Sequence, residues 1–155
     1  MKKFFICGIA ALTVGMVSCK SRQKDTNRSV SETVNVAGTE KDIVEKYWKL
    51  TEVFGEKVVT VADGKDAYII LKQEDKRVNG NTGCNSLSGT YAIEAGNKIR
   101  FSEVVSTLMM CLFANSETAF KQVFETTDNF VVNGDTLRFY NANKELLACF
   151  EAVYL

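Results

Sequence analysis

The 155-residue chain contains no histidine and no proline, and it carries no excess charge of either sign. Without histidine, the commonest general base and the commonest metal ligand are both missing. A Ser-His-Asp or Cys-His catalytic pair cannot be built from this chain alone. No Cys-x-x-Cys spacing begins a thiolate zinc site either. The absence of proline leaves turns to Gly, Asn and Asp, which points to hairpins. Nineteen basic residues balance nineteen acidic ones, so no positive field marks a nucleic-acid surface. No apolar run reaches the roughly 20 residues that a membrane-crossing helix needs.

What is present begins with an address. Met1-Lys2-Lys3 is basic, and Phe4 to Ser18 follows without a charge. That length suits the apolar core of a signal peptide, predicted over residues 1–18. It ends in Met16-Val17-Ser18-Cys19, which resembles the bacterial lipobox, with methionine where leucine is usual. The resemblance implies cleavage before Cys19 and fatty-acyl (palmitate) modification of that cysteine. Two or more acyl chains anchor a protein stably where one does not. The expected location is therefore the cell envelope, on a membrane and by preference the outer one. Removal of residues 1–18 takes away Lys2 and Lys3, leaving 17 basic against 19 acidic residues.

From Cys19 to Lys41 the chain is rich in Ser, Thr, Asn, Lys and Glu. Such a segment buries too little surface to offset its ordering entropy, and a flexible tether with a span of roughly 25 Å is expected. A single domain is expected over residues 42–155.

Within that domain the pattern is mostly strands. Asp42 is placed to cap a helical turn ahead of an extended segment from Trp48. Val58 to Val61 and Tyr68 to Leu71 read as strands around a turn at Ala62-Asp63-Gly64. Thr90 to Glu94 and Lys98 to Phe101 form a hairpin around Gly96-Asn97, with Tyr91, Ile93, Ile99 and Phe101 on one face. A second hairpin turns at Asn133-Gly134, with Leu137 and Phe139 inward, and Leu146 to Val153 is the last strand. One helix, capped at Asn115 or Ser116, carries Ala119, Phe120, Val123, Phe124 and Thr127 as a core-facing stripe. The predicted fold is α+β: a curled antiparallel sheet, barrel-like in outline, with one principal helix packed on it. The glycine-rich stretch Gly80 to Tyr91 reads as a turn between two strands; it has no Gly-Lys-Ser/Thr ending and is no P-loop.

Trp48-x-Leu50, then Gly83-Cys84-Asn85-x-x-x-Gly89-x-Tyr91, then Thr107-x-Met109-x-Cys111 together resemble the META-domain family, which includes heat-shock lipoproteins. The likeness runs from about Trp48 to the carboxyl terminus. Leu108 stands where the family usually has a basic residue, and Met110 where it has a small one. The resemblance implies a small envelope or secreted module without established catalysis, linked to stress, motility or drug tolerance. It also implies a disulfide between Cys84 and Cys111. Cysteine counting agrees: once Cys7 leaves and Cys19 is acylated, Cys84, Cys111 and Cys149 remain in a disulfide-permissive compartment, enough for one bridge and one thiol.

No catalytic residue, metal-ligand set or cofactor motif is assigned. Thr107, Met109 and Met110 either line a pocket or pack, with packing expected, and Cys149 is expected to be a buried thiol. The expected function is a non-enzymatic, lipid-anchored domain that binds an envelope protein or a small molecule. The alternatives are a carrier enclosing an apolar ligand within a curled sheet and an enzyme using Cys111 or Cys149 as nucleophile.

Overall fold

A computed structural model describes residues 38–59, 65–110 and 115–154. The expected signal peptide, Cys19, most of the expected tether, the turn at 62–64 and Cys111 lie outside the described residues. The chain runs α1 (Glu40–Ile43), β1 (Tyr47–Val53), β2 (Glu56–Lys57), β3 (Ala67–Leu71), β4 (Arg77–Thr82), β5 (Ser86–Glu94), β6 (Lys98–Ser106), α2 (Asn115–Thr126), β7 (Asn129–Asn133), β8 (Thr136–Tyr140) and β9 (Leu146–Val153).

All strand pairings are antiparallel, in the order β2-β1-β3-β4-β5-β6-β7-β8-β9, and β9 pairs back onto β1. The sheet therefore curls into a ring with the helix against it, the α+β arrangement expected from the pattern. Alternation creates the inner face: Ala67, Ile69 and Leu71 of β3 and Leu137 and Phe139 of β8 are buried, while their neighbours are half-exposed. The two predicted hairpins form with the expected facing, Tyr91 opposite Phe101, Ile93 opposite Ile99, and Phe130 opposite Phe139.

The weakest joint in the ring is β6–β7, where only Lys98 and Asn129 are paired among the described residues. Two backbone bonds flank that pair, Ile99 N–H to the Asp128 carbonyl and Phe130 N–H to the Asn97 carbonyl, each 3.0 Å. Helix α2, which lies between these strands in sequence, supplies the missing packing. Of the predicted stripe, Phe120, Val123 and Phe124 are buried, Ala119 is half-buried, and Thr127 is buried just past the end of the helix. Phe124 meets Phe101 of β6 edge-on at 4.9 Å between centroids, and Phe120 lies 6.2 Å from Phe150 of β9. Phe139 completes the aromatic interior, 5.2 Å from Phe150 and 5.5 Å from Phe101. Burial of rings of this size dominates the core energetics.

Three expectations are corrected. The cap of α1 is Thr39 and not Asp42: the Asp42 carboxylate accepts from the Thr39 N–H at 2.6 Å and from its hydroxyl at 2.7 Å. These bonds hold the Asp42 carboxyl below its usual range. Strand β2 is Glu56–Lys57, ahead of the expected Val58 to Val61; Val58 is half-buried and Val59 is 81% exposed. It pairs with Glu52 and Val53 of β1, while β3 takes Trp48 and Lys49, and just past it the Val58 N–H reaches the Thr51 carbonyl at 2.9 Å. Finally, most of the stretch Gly80 to Tyr91 is strand and not turn. Gly80 sits over β3, where a Cβ would fall 2.1 Å from the Tyr68 carbonyl oxygen. The glycine serves close approach between strands, which local pattern reads as a breaker.

Substituting Gly80→Ala forces β3 and β4 apart. The expected loss is about 3 kcal/mol, the upper end of ordinary overpacking costs, measured as a lower urea midpoint at unchanged slope. An unchanged midpoint would contradict the strand register.

Candidate binding site

The turn between β4 and β5 is Gly83-Cys84-Asn85. Gly83 takes φ of +96°, a conformation that favours glycine, and its N–H donates to the Asn81 side-chain oxygen at 2.8 Å. Thr82 and Asn85 close the turn by exchanging bonds: Thr82 N–H to the Asn85 carbonyl, 2.8 Å, and Asn85 N–H to Thr82 Oγ1, 3.0 Å. The outcome is that the Asn85 side chain points inward and is fully buried.

That amide is saturated. Its Oδ1 accepts from the Thr107 hydroxyl and from the Met109 N–H, both at 2.8 Å. Its Nδ2 donates to the Met109 carbonyl at 3.3 Å and to Glu117 Oε2 at 2.6 Å. The Met109 N–H, the Met109 carbonyl and the Glu117 carboxylate fix the amide orientation, since the first can only donate and the other two only accept. Thr107 is held a second time, its Oγ1 accepting from Ser86 N–H at 3.1 Å and its own N–H reaching the Ser86 carbonyl at 3.0 Å. Glu117 in the first turn of α2 uses its other oxygen to accept from the Ser106 hydroxyl at 3.0 Å. Asn85 thus binds three elements together: the β4–β5 turn, the segment after β6, and α2.

The clasp has an outward consequence. With the backbone of Met109 pinned at both polar groups, the neighbouring side chains project into solvent. Leu108 is 94% exposed, Met110 fully so, Val105 66% and Met109 55%. Beside them a cleft of about 270 Å³ lies between β6 and α2, lined by Leu87, Val104, Leu108, Phe120 and Phe124 with Glu117 and Lys121 among its polar residues. An apolar cleft with few polar groups has the chemistry of a binding site. No cluster of three or more metal-ligating side chains occurs among the described residues.

The sequence-singled residues divide accordingly. Gly83, Cys84, Asn85, Thr107 and Met109 are brought together by the clasp. Gly89 lies in β5, where a Cβ would stand 2.8 Å from Val104 Cγ2, so it serves close approach to β6. Tyr91 belongs elsewhere: it is buried against the β3–β4 turn, its hydroxyl donating to the Lys72 carbonyl at 3.0 Å and its N–H to the Lys76 carbonyl at 2.8 Å. Burial, reinforced by Glu40, Glu45 and Asp75, pushes its phenol up to about 12. The expected packing of Thr107, Met109 and Met110 is overturned, since all three are exposed: Thr107 is held by hydrogen bonds, and the pinned backbone turns the two methionines outward. Cys149 is a free thiol but half-buried, and burial is the main cause that raises its pKa, favouring the thiol over the nucleophilic thiolate. Glu117, Thr82 and Ser106 were not foreseen. The one available signal for Glu117 was an acidic residue in a predicted first helical turn, where a carboxylate is commonplace.

Comparison with known proteins agrees with this architecture. The family model for the META domain matches residues 41–154. No curated protein matches the chain. An NMR structure of a protein from Burkholderia xenovorans is similar at a TM-score of 0.60 and 19% identity, over 74% of this chain and 86% of that one. A second NMR structure gives 0.57 and 19%, over 74% and 95%. The crystal structure of a DUF4847 family protein from Bacteroides vulgatus gives 0.52 and 12%, over 74% and 96%. At these identities the likeness concerns the fold, and none of the descriptions names an enzymatic activity.

Two measurements test the geometry. Asn85→Ala takes a partner from the Thr107 hydroxyl, the Met109 backbone and the Glu117 carboxylate. Only the Asn85 amide itself is fully buried, and Thr107 and Glu117 keep their bonds to Ser86 and Ser106, so a loss of about 1–3 kcal/mol is expected in chemical denaturation. Stability should also fall between pH 10 and about 12: the unfolded tyrosine ionises near 10, whereas folded Tyr91 keeps its proton to about 12. Tyr91→Phe should flatten that alkaline limb; an equally steep limb in the variant would exclude Tyr91 as its source.

Proposed function

The chain belongs to the META-domain family, and on that premise we propose that it is a lipid-anchored, non-enzymatic binding domain of the bacterial cell envelope. The anchor is Cys19, read from Met16-Val17-Ser18-Cys19 after an uncharged run. The address favours the outer membrane, and the setting is one of envelope stress. The observation that carries the binding reading is the held exposure of Leu108 and Met110 beside the β6–α2 cleft. Exposed large apolar side chains set together on a soluble domain mark interaction surfaces. Here the hydrogen bonds of the buried Asn85 fix the backbone that presents them.

The alternatives have less support. A carrier would need room within the ring, but Phe101, Phe120, Phe124, Phe139 and Phe150 contact one another there. A small apolar ligand would have to use the cleft. A thiol enzyme built on Cys149 is disfavoured by the raised thiol pKa.

The disulfide between Cys84 and Cys111 belongs to the same proposal. Asn85, next to Cys84, binds both backbone polar groups of Met109, two residues before Cys111. A bridge closing a loop of about 27 residues would contribute roughly 3–4 kcal/mol by constraining the unfolded chain.

Intact-mass measurement of protein extracted from membranes tests anchor and bridge together. The expected mass is that of a chain starting at Cys19 with acyl chains added. After unfolding without reductant, one thiol should alkylate; after reduction, three. Cys19→Ala should abolish the acyl mass and membrane association. Retention of both by that variant would reject the anchor, and three alkylated thiols before reduction would reject the bridge.

A further inference from the structure

We propose that the exposed knuckle Val105–Met110 is a membrane-docking surface, which lays the domain against the bilayer that holds Cys19. The inference rests on the reading of Cys19 as acylated. Three observations on the chain select a lipid surface over other occupants.

The first is composition joined to exposure. Val104 to Ala114 contains eleven residues and no charge. Leu108 and Met110 are the most exposed large apolar side chains of the described residues, at 94% and 101%. Both are flexible hydrocarbon-rich groups without a directional polar atom.

The second is the state of the backbone. Immersing a loop at a bilayer surface is unfavourable when its N–H and C=O groups lose water without gaining partners. Here the Thr107 N–H is bonded to Ser86, and the Met109 N–H and C=O are both bonded to the Asn85 amide. The clasp satisfies these groups internally before the knuckle meets lipid. The same bonds remove the hydrogen-bonding edge that an added strand from a protein partner would use. A second copy is also disfavoured. The exposed apolar patch is Val105, Leu108, Met109 and Met110, a small part of the roughly 20–30 residues a side of a standard interface.

The third is reach. Gly38, where the described fold begins, follows Cys19 by 19 residues. A chain of that length spans at most about 65 Å even when fully extended, so an acylated Cys19 keeps the domain always within that distance of the bilayer. Confinement of this kind raises the effective concentration of the surface, and a small apolar contact then suffices. Because the run is uncharged, docking should need no anionic lipid and should resist salt.

The test uses the full acylated protein reconstituted in phosphatidylcholine vesicles, with tryptophan reporters introduced singly and each read as the difference spectrum from the parent protein, whose Trp48 is buried. Met110→Trp reads the knuckle, and Val59→Trp reads an exposed site far from it in sequence. The expected result is blue-shifted emission from the Met110→Trp variant and loss of most of it with brominated phosphatidylcholine. The shift should persist at high salt, while the Val59→Trp emission stays that of a water-exposed indole. Adding Leu108→Asp to Met110→Trp should restore water-like, unquenched emission. Water-like emission from vesicle-bound Met110→Trp would overturn the proposal. A blue shift that grows with protein density but escapes brominated lipid would overturn it in favour of a second copy. One that appears only with envelope extract would overturn it in favour of a protein partner. Protein that floats free of the vesicles instead removes the acylation of Cys19, and docking of this kind with it.

Discussion

The structure turns on one buried amide. Asn85 is fully buried and satisfied on both ends, by a hydroxyl, a backbone N–H, a backbone carbonyl and a carboxylate. Few side chains can fill this place. Aspartate has the acceptors but no donor for Glu117 or the Met109 carbonyl, and glutamine carries its amide one methylene too far. Because the interior has a low dielectric, such a cluster is strong when complete and costly when broken. Its partners come from the β4–β5 turn, the segment after β6, and helix α2, so the amide aligns parts of the fold that strand pairing alone leaves independent.

That alignment matters because the ring is unevenly closed. β1 and β9 pair over nearly their whole length, whereas β6 and β7 share one residue pair among the described residues. At this opening the sheet relies on α2, whose Phe124 packs on Phe101 and whose Glu117 reaches Asn85 and Ser106. The cleft lies along the same seam. Polar bonds on the inside and exposed apolar side chains on the outside are thus two faces of one construction. Rigid backbone placement lets flexible residues such as Leu108 and Met110 serve as a defined surface.

The fold was legible where one residue's environment follows from its near neighbours. The hairpins at Gly96-Asn97 and Asn133-Gly134 carry turn chemistry flanked by strict alternation, and their registers place Tyr91, Ile93, Ile99, Phe101, Leu137 and Phe139 as the pattern implies. The stripe of α2 likewise needs only helical spacing. Gly80 and Gly89 misled for a definite reason: each is demanded by a strand many residues distant, Tyr68 for one and Val104 for the other. Nothing local separates a glycine that allows a turn from one that admits a neighbouring backbone. Met109 and Met110 were misread for a related reason, since hydrophobic type suggests burial, but whether it occurs depends on how the backbone is held.

From the residues alone come the uncharged amino-terminal run ending at Cys19, the absence of histidine chemistry, the α+β pattern and the motif pairs that place the chain in its family. These follow from chemical type and short-range period. Tertiary structure decided that Asn85 is a buried junction, that Glu117 joins it across 32 positions, and that Tyr91 stands apart from the rest of the motif. It also decided that Leu108 and Met110 face solvent. Hydrogen bonding and burial depend on distances between segments remote in sequence, and only the closed sheet with its helix sets those distances.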